Sequence, residues 1–443
     1  MTRVLVLATE VIPLPGLPTV GGGMRGWRLA RGLESAGFEV TLIFPREAMA
    51  PYGEAISSEA REAVLPLTYA WHDPAGAIAE HQPDVVLCCS WMMASRLAEQ
   101  GGSPVPLAVD VAGPVLIEAL YQNPAEATEL APYKVRGLRA ADFVVCAGER
   151  QRAYFFPWLL LAGFTPHDCA ARLATVTISA PPSPRPPHGP PNPEPLLIFA
   201  GVALPWHDPL VPLKTVAETI TRHDRGRLEL HLTQHPIHSQ NATWYWDFLE
   251  WSKDYPRVTV FPGTPRPNAV VLDLYRSADL AFDLFGYNPE RELAVAHRTV
   301  DYLSCGLPVL HSSYAELAGP IARYEAGATV DPADPDAIAA IVGRVLSDPA
   351  ILGRWSENAI RLTDEYLAWD RTIAPLAAWC ANPTTRRELA GALSPEALVP
   401  DLREQVRSLE AEAVQFRQDR AGMEAGLAAL RQDREALHGE VRR

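Results

Sequence analysis

The sequence predicts an α/β protein with two units, each built on a parallel sheet, facing one another across a cleft and followed by a C-terminal coiled-coil helix. Three observations carry this. Short apolar or β-branched runs alternate with longer mixed segments, twice over. A stretch at 181–195, in which nine of fifteen residues are proline, divides the two series. The final fifty residues carry a heptad pattern instead.

In the first unit, residues 1–180, the predicted strands are Val4–Ala8, Val40–Phe44, Val85–Cys89, Leu107–Asp110 and Phe143–Cys146. Each is short and apolar, as a strand buried on both faces requires. The Pro-rich segment cannot build a ladder or a helix interior, so it is expected to be an extended linker. In the second unit, residues 196–380, strands are expected at Leu196–Ala200, Leu228–Leu232, Val258–Phe261, Leu280–Phe282 and Pro308–Leu310. Helices are expected at Val211–Arg222, Thr243–Lys253 and Glu292–Ser304. In open α/β sheets, ligands bind beyond the carboxyl ends of the strands. In the last block, 394–443, Leu402, Leu409, Phe416, Met423, Leu430 and Leu437 recur every seven residues. A second series, Val406 to Val441, runs beside them. This is an a/d seam, and it predicts a homodimer, although a lone helix docked on its own body has the same pattern.

Composition narrows the function. Hydrophobic residues are 48% and charged residues 21%, a globular balance that excludes wholesale disorder. A net charge of −14 disfavours a general nucleic-acid coat. Lysine occurs only at 134, 214 and 253, so arginine supplies nearly all the positive charge. Arginine suits phosphate or carboxylate, though genomic base composition gives the same bias. The six cysteines lack a CxxC pair or zinc spacing and read as buried thiols of a cytoplasmic protein. The short apolar start lacks the length of a secretory signal, and no apolar run is long enough to span a bilayer.

Three segments carry candidate chemistry. Gly21-Gly22-Gly23-Met24-Arg25 opens a helix whose apolar face is Met24, Trp27, Ala30 and Leu33. Helix-start amides hold anions, and glycine admits a ligand closely, so Gly22, Gly23 and Arg25 are candidates; a flexible turn is the plainer reading. After the first strand of the second unit comes Gly201 to Pro209. Here Trp206 is placed to stack a base and Asp208 to bind hydroxyls, while His207 fits an ordinary loop histidine. The third segment runs from Glu290-Arg291-Glu292 through His297-Arg298 to Asp301 and Cys305-Gly306-Leu307-Pro308-Val309. On one helix, Arg298 and Asp301 share a face. Asp301 is suited to a ribose diol and Arg298 to a diphosphate, or the two form an ordinary surface ion pair.

Residues 1–380 resemble a GT-B glycosyltransferase, with two Rossmann-like domains facing a cleft, close to glycosyltransferase family 4. The resemblance rests on Gly21–Arg25 before a helix, on Ala140 to Gln151 at a strand-to-helix step, and on Asp301 to Val309, which matches an acidic residue followed by a GxPV turn. It implies a nucleotide-sugar donor in the second domain, a glycan or lipid-linked acceptor in the first, retention of configuration, and no required metal or other cofactor. It also implies cell-surface polysaccharide synthesis at the inner face of the membrane, with a peripheral membrane contact. Asp301 takes the place of the family's ribose-binding acid. The family's partner glutamate falls at Leu293, which displaces that role to Glu292, and Glu290 joins the donor set. The family's Arg/Lys pair at the start of the second domain is replaced by Pro205-Trp206-His207-Asp208. Arg25, Arg298 or Lys214 must then balance the diphosphate. The expected catalytic set is Arg25, Glu292 and Arg298. The alternative is an inactive GT-B scaffold that recruits partners through its coiled coil.

Overall fold

The computed structural model describes residues 1–18, 20–182, 192–234 and 242–386, together with Gln415 and Met423. Within them, strands form two sheets. The first contains β1 (Arg3–Leu7), β2 (Glu39–Pro45), β3 (Thr68–Tyr69), β4 (Val85–Cys88), β5 (Leu107–Asp110), β6 (Phe143–Cys146) and β7 (Leu173–Thr175). Its order is β3-β2-β1-β4-β5-β6-β7, parallel throughout. The second contains β8 (Leu196–Val202), β9 (Arg227–Thr233), β10 (Val258–Gly263), β11 (Leu280–Asp283), β12 (Val309–Ser312) and β13 (Gly327–Val330). Its order is β10-β9-β8-β11-β12-β13, also parallel.

The order reverses between β1 and β4, and again between β8 and β11. Connections leaving such neighbours diverge to opposite faces and open a crevice at the carboxyl ends. Every residue of β4, β5 and β6 is buried, as the apolar runs require. The strands the sequence reading did not anticipate, β3, β7 and β13, each lie at a sheet edge. They are short or partly exposed, so they lack the apolar run that marks a central strand.

The two domains are joined twice. Ala180 pairs with Ala368 in an isolated parallel bridge, with Ala180 N donating to Leu367 O (2.9 Å) and Trp369 N to Ala180 O (3.0 Å). After this second crossing the chain returns to the first domain. Ile373, Leu376, Trp379 and Cys380 join its core, and Trp379 stacks on Phe143 of β6 at 5.2 Å. The tail of the expected 196–380 unit thus packs on the first sheet. The Pro-rich segment is described only at its ends, where Asn192 is anchored to Asp279 by its amide N (2.9 Å) and side chain (2.7 Å).

The expected helix Glu292–Ser304 is two helices, Pro289–Leu293 and His297–Ser304. Ala294 and Ala296 are extended, and Val295 between them is buried in the second domain's core. Glu292 and Arg298 therefore stand on separate elements. Residues 391–443 form a second unit. Its heptad pattern lies outside the described residues apart from Gln415 and Met423, both helical. Among the described residues, no helix is long and apolar enough to cross a membrane.

Candidate active site

The loop after β1 feeds the helix Gly21–Ser35. Its first turn holds an anion, but one from the chain itself: Gly22 N donates to Glu10 Oε2 at 2.8 Å. Burial pushes the Glu10 carboxyl up, while the Gly22 and Gly23 amides pull it down. Gly23 serves packing rather than ligand approach, because a Cβ there would lie 1.8 Å from Val11 O. The anion-site expectation for Gly22 and Gly23 is thus met by an internal carboxylate.

Arg25 is likewise committed. Its Nη2 and Nε donate to the two oxygens of Asp110 at 2.8 and 3.1 Å, and its Nη1 to Thr177 O at 3.2 Å. Arg25 is 3% exposed and Asp110 1%. Asp110 ends β5, so this pair staples the first helix to the sheet, and a diphosphate role for Arg25 is not what the geometry offers. One turn on, Arg28 crosses the cleft. Its Nη2 donates to Asp301 Oδ1, and its Nη1 lies 3.1 Å from His297 Nδ1. The expected Arg298–Asp301 pair is replaced by this inter-domain one. Burial raises the Asp301 carboxyl and Arg28 opposes it, while burial and then Arg28 hold the His297 ring well below its ordinary range.

Arg298 turns toward β8 and β11 instead. Its Nη1 donates to Ala200 O at 3.3 Å, and its Nε is 3.6 Å from Asp283 Oδ1. Gly201 makes room for it: φ there is +138°, and a Cβ would sit 2.5 Å from Arg298 Nη1. Phe285 gathers three groups. Arg298 and Arg291 lie 5.2 and 5.5 Å from its ring centre, and the His207 ring is 4.5 Å away. His207 is 2% exposed. Burial, then Arg291 and Arg298, hold it well below its usual value, so it is neutral. Beside this group a small recess opens at the ends of β11 and β12, lined by Asp283, Phe285, Arg291, His311, Ser312 and Tyr314 among others.

The remaining candidates scatter. Trp206 is 5% exposed and edge-on to His207, so its ring face is not presented to a base. Asp208 is exposed, and its carbonyl accepts from Gly286 N at 2.7 Å, tying this loop to the one after β11. Lys214 lies outside the group, 5.2 Å over the Trp251 ring. Glu290 is buried, and Arg291 Nη2 donates to it at 2.7 Å. Glu292 meets the first domain, accepting from Tyr287 OH at 2.7 Å and from Arg150 Nη1 at 3.4 Å. The strand-to-helix step at 140–151 supplies more of that contact. Gln151 Nε2 bridges Ala112 O (2.7 Å) and Leu293 O (3.0 Å), Arg150 reaches Tyr314 O, and Glu149 N donates to Glu316 Oε1 at 2.8 Å. Glu118, on the first-domain side, is pushed up to about 8 by burial and then by Glu290.

Sequence reasoning missed Glu10, Arg28, Asp110, Glu118, Asp283, Arg291 and His311 as site-forming groups. Asp110 and Asp283 had a legible signal, since each is an acidic residue closing a strand at the carboxyl edge. Arg28 had none beyond its distance from the glycines.

Two parallel-sheet α/β domains, each reversing its strand order and facing the other across the strand ends, make up the GT-B architecture. No protein-family model and no curated protein matches the chain. Among solved structures it is similar to the sucrose-phosphate synthase of Thermosynechococcus elongatus, with 17% identity over 85% of this chain and 98% of that one, at a TM-score of 0.60. It is also similar to a trehalose-phosphate synthase from Burkholderia vietnamiensis (13% identity, 86% and 98% covered, TM-score 0.56). A third is Anabaena HepE, solved with UDP and glucose (11% identity, 86% and 100% covered, TM-score 0.57). These likenesses establish the fold, and they do not single out family 4.

Proposed function

We propose that the chain is a glycosyltransferase that moves a sugar from a nucleotide-sugar donor to a glycan or lipid-linked acceptor. The observation that carries this reading is the Arg298 guanidinium beside Phe285 at the carboxyl ends of β8 and β11, next to a recess in a GT-B cleft that Arg291, held by Glu290, also lines. Fixed cations in a partly dry site stabilise charge gathering on a departing diphosphate, which is the largest electrostatic demand of this transfer. A nucleoside diphosphate-sugar is the substrate class, and UDP-sugars are the first probes, since HepE is described with UDP and glucose. Retention, independence from metal and a place in cell-surface polysaccharide synthesis belong to the same reading.

Hydrolysis and transfer assays with a panel of nucleotide sugars test it. Arg298→Ala should lower kcat by about 10²-fold, the scale for removing one charge-stabilising donor. The alternative, an inactive scaffold, draws support from the Asp301 carboxylate being taken by Arg28. It predicts no turnover with any donor. A homodimer through the heptads remains part of the proposal. So does a peripheral membrane contact, supported by the exposed Leu120, Tyr121, Tyr133, Phe156 and Leu160 on neighbouring helices of the first domain.

A further inference from the structure

Arg28 is 2% exposed and lies between the domains. Two of its nitrogens face Asp301 and His297, 273 and 269 residues away, and its Nε is buried without a partner. A guanidinium has five donors in a rigid fork, so this grip leaves capacity unused. The setting favours an anion twice over. The helix His297–Ser304 begins here with no side-chain cap, leaving its first N–H groups open. Its positive end meets the start of the facing helix, where a Cβ on Gly21 would be 3.8 Å from the His297 ring. At present the only anion described on Arg28 is Asp301. Arg25 cannot share the task, since Asp110 and Thr177 hold it.

The family resemblance also makes Asp301 the acid that would hold a ribose. A ribose arriving alone would take the carboxylate from Arg28 and strand a buried cation, which is strongly unfavourable. A ligand that brings its own diphosphate replaces the lost partner in the same event.

We propose that Arg28 is a donor-displaced latch: without donor it neutralises Asp301 and ties the domains together, and when a nucleoside diphosphate binds, the ribose hydroxyls take Asp301 while the guanidinium passes to the diphosphate. This makes Arg28 a specificity residue that rejects nucleosides and admits their diphosphates. The inference rests on the donor-site reading above.

Calorimetric titration of the full chain with uridine and UDP, and with the guanosine/GDP and adenosine/ADP pairs, tests it. The wild-type chain should prefer one diphosphate to its nucleoside. In Arg28→Ala that preference should fall by about 10-fold or more, the scale of a charge-assisted pair. The nucleoside itself should bind no worse, because its carboxylate has been released. Arg28→Gln, neutral and of similar reach, carries the same expectation if the alanine variant does not fold. Equal loss for nucleoside and diphosphate, or an unchanged preference, would overturn the latch and leave Arg28 a structural bridge. If the wild-type chain binds no member of any pair, the donor-site reading falls and the latch falls with it.

Discussion

Lys134 offers a quantitative test of how this fold holds charge. It lies on the helix Pro124–Ala140, its side chain is wholly buried, and among the described residues no acid is paired with it. Its Nζ is 3.1 Å from Tyr154 OH and 4.4, 4.6 and 4.1 Å from the ring centres of Tyr154, Phe155 and Trp158. Burial alone pushes the ammonium from 10.5 down to about 6. The three rings act the other way, but cation–π contacts contribute only about 0.5–2 kcal/mol each. The displacement corresponds to about 6 kcal/mol at about 1.4 kcal/mol per unit. The folded chain should therefore carry a neutral amine at pH 7, hydrogen-bonded to Tyr154. The unfolded chain keeps its proton up to about pH 10.5, so unfolding takes up a proton between pH 6 and that point. Stability from this residue rises with pH across the window, by about 1.4 kcal/mol per unit, and is lost as pH falls toward 6. Lys134→Met removes the titrating group at similar volume. It should be more stable than wild type at pH 7 by about 2–4 kcal/mol, after loss of about 1 kcal/mol for the hydrogen bond. Melting temperatures of both chains from pH 6.5 to 9.5 give the comparison, and the gap should narrow steadily with pH. A gap that does not change with pH, or a less stable variant at pH 7, would mean that the aromatic cage holds a charged ammonium and that the reasoning is wrong.

Three further outcomes are expected. Asp110→Ala should destabilise the first domain by about 3–5 kcal/mol, measured by thermal or urea unfolding, because it strands Arg25 in a dry site. Gly23→Ala should cost as much or prevent folding, since its Cβ would meet Val11 O at 1.8 Å, whereas Gly319→Ala, where nothing lies within 4 Å, should be nearly silent in the same melt. Deleting residues 395–443 should turn a dimer into a monomer by sedimentation while donor hydrolysis persists; a full-length chain that sediments as a monomer at micromolar concentration would refute the dimer.

The fold was legible because central parallel strands are buried on both faces and so leave contiguous apolar runs. Phe143–Cys146 and Leu107–Asp110 were found to the residue. Edge strands such as Thr68–Tyr69 escaped because half their surface faces water and needs no such run. The site was less legible, for a different reason. A motif gives the spacing of charges along one segment, while the partner of each charge is set by topology. Arg25 and Arg28 sit three apart on one helix, yet one is held by β5 and the other by the opposite domain. The Arg298–Asp301 spacing was read correctly as helical, but the two side chains diverge to Asp283 and to Arg28. The break at Ala294–Ala296 was hidden because a buried Val295 in an extended segment looks, in sequence, like one more apolar helix position.

The return of the chain through Ala368 to the first sheet constrains how the protein is made. Ile373, Leu376, Trp379 and Cys380 belong to a core whose other members come from residues 4–176. A nascent chain must therefore leave the ribosome through residue 380 before that first core is complete, after the whole second sheet has already emerged. The second domain, contiguous from β8 to β13, is free to fold first, and the earlier-synthesised domain closes last. A chain stopped near residue 365 should yield a folded second domain attached to a protease-sensitive first one, the reverse of the order in which they are translated.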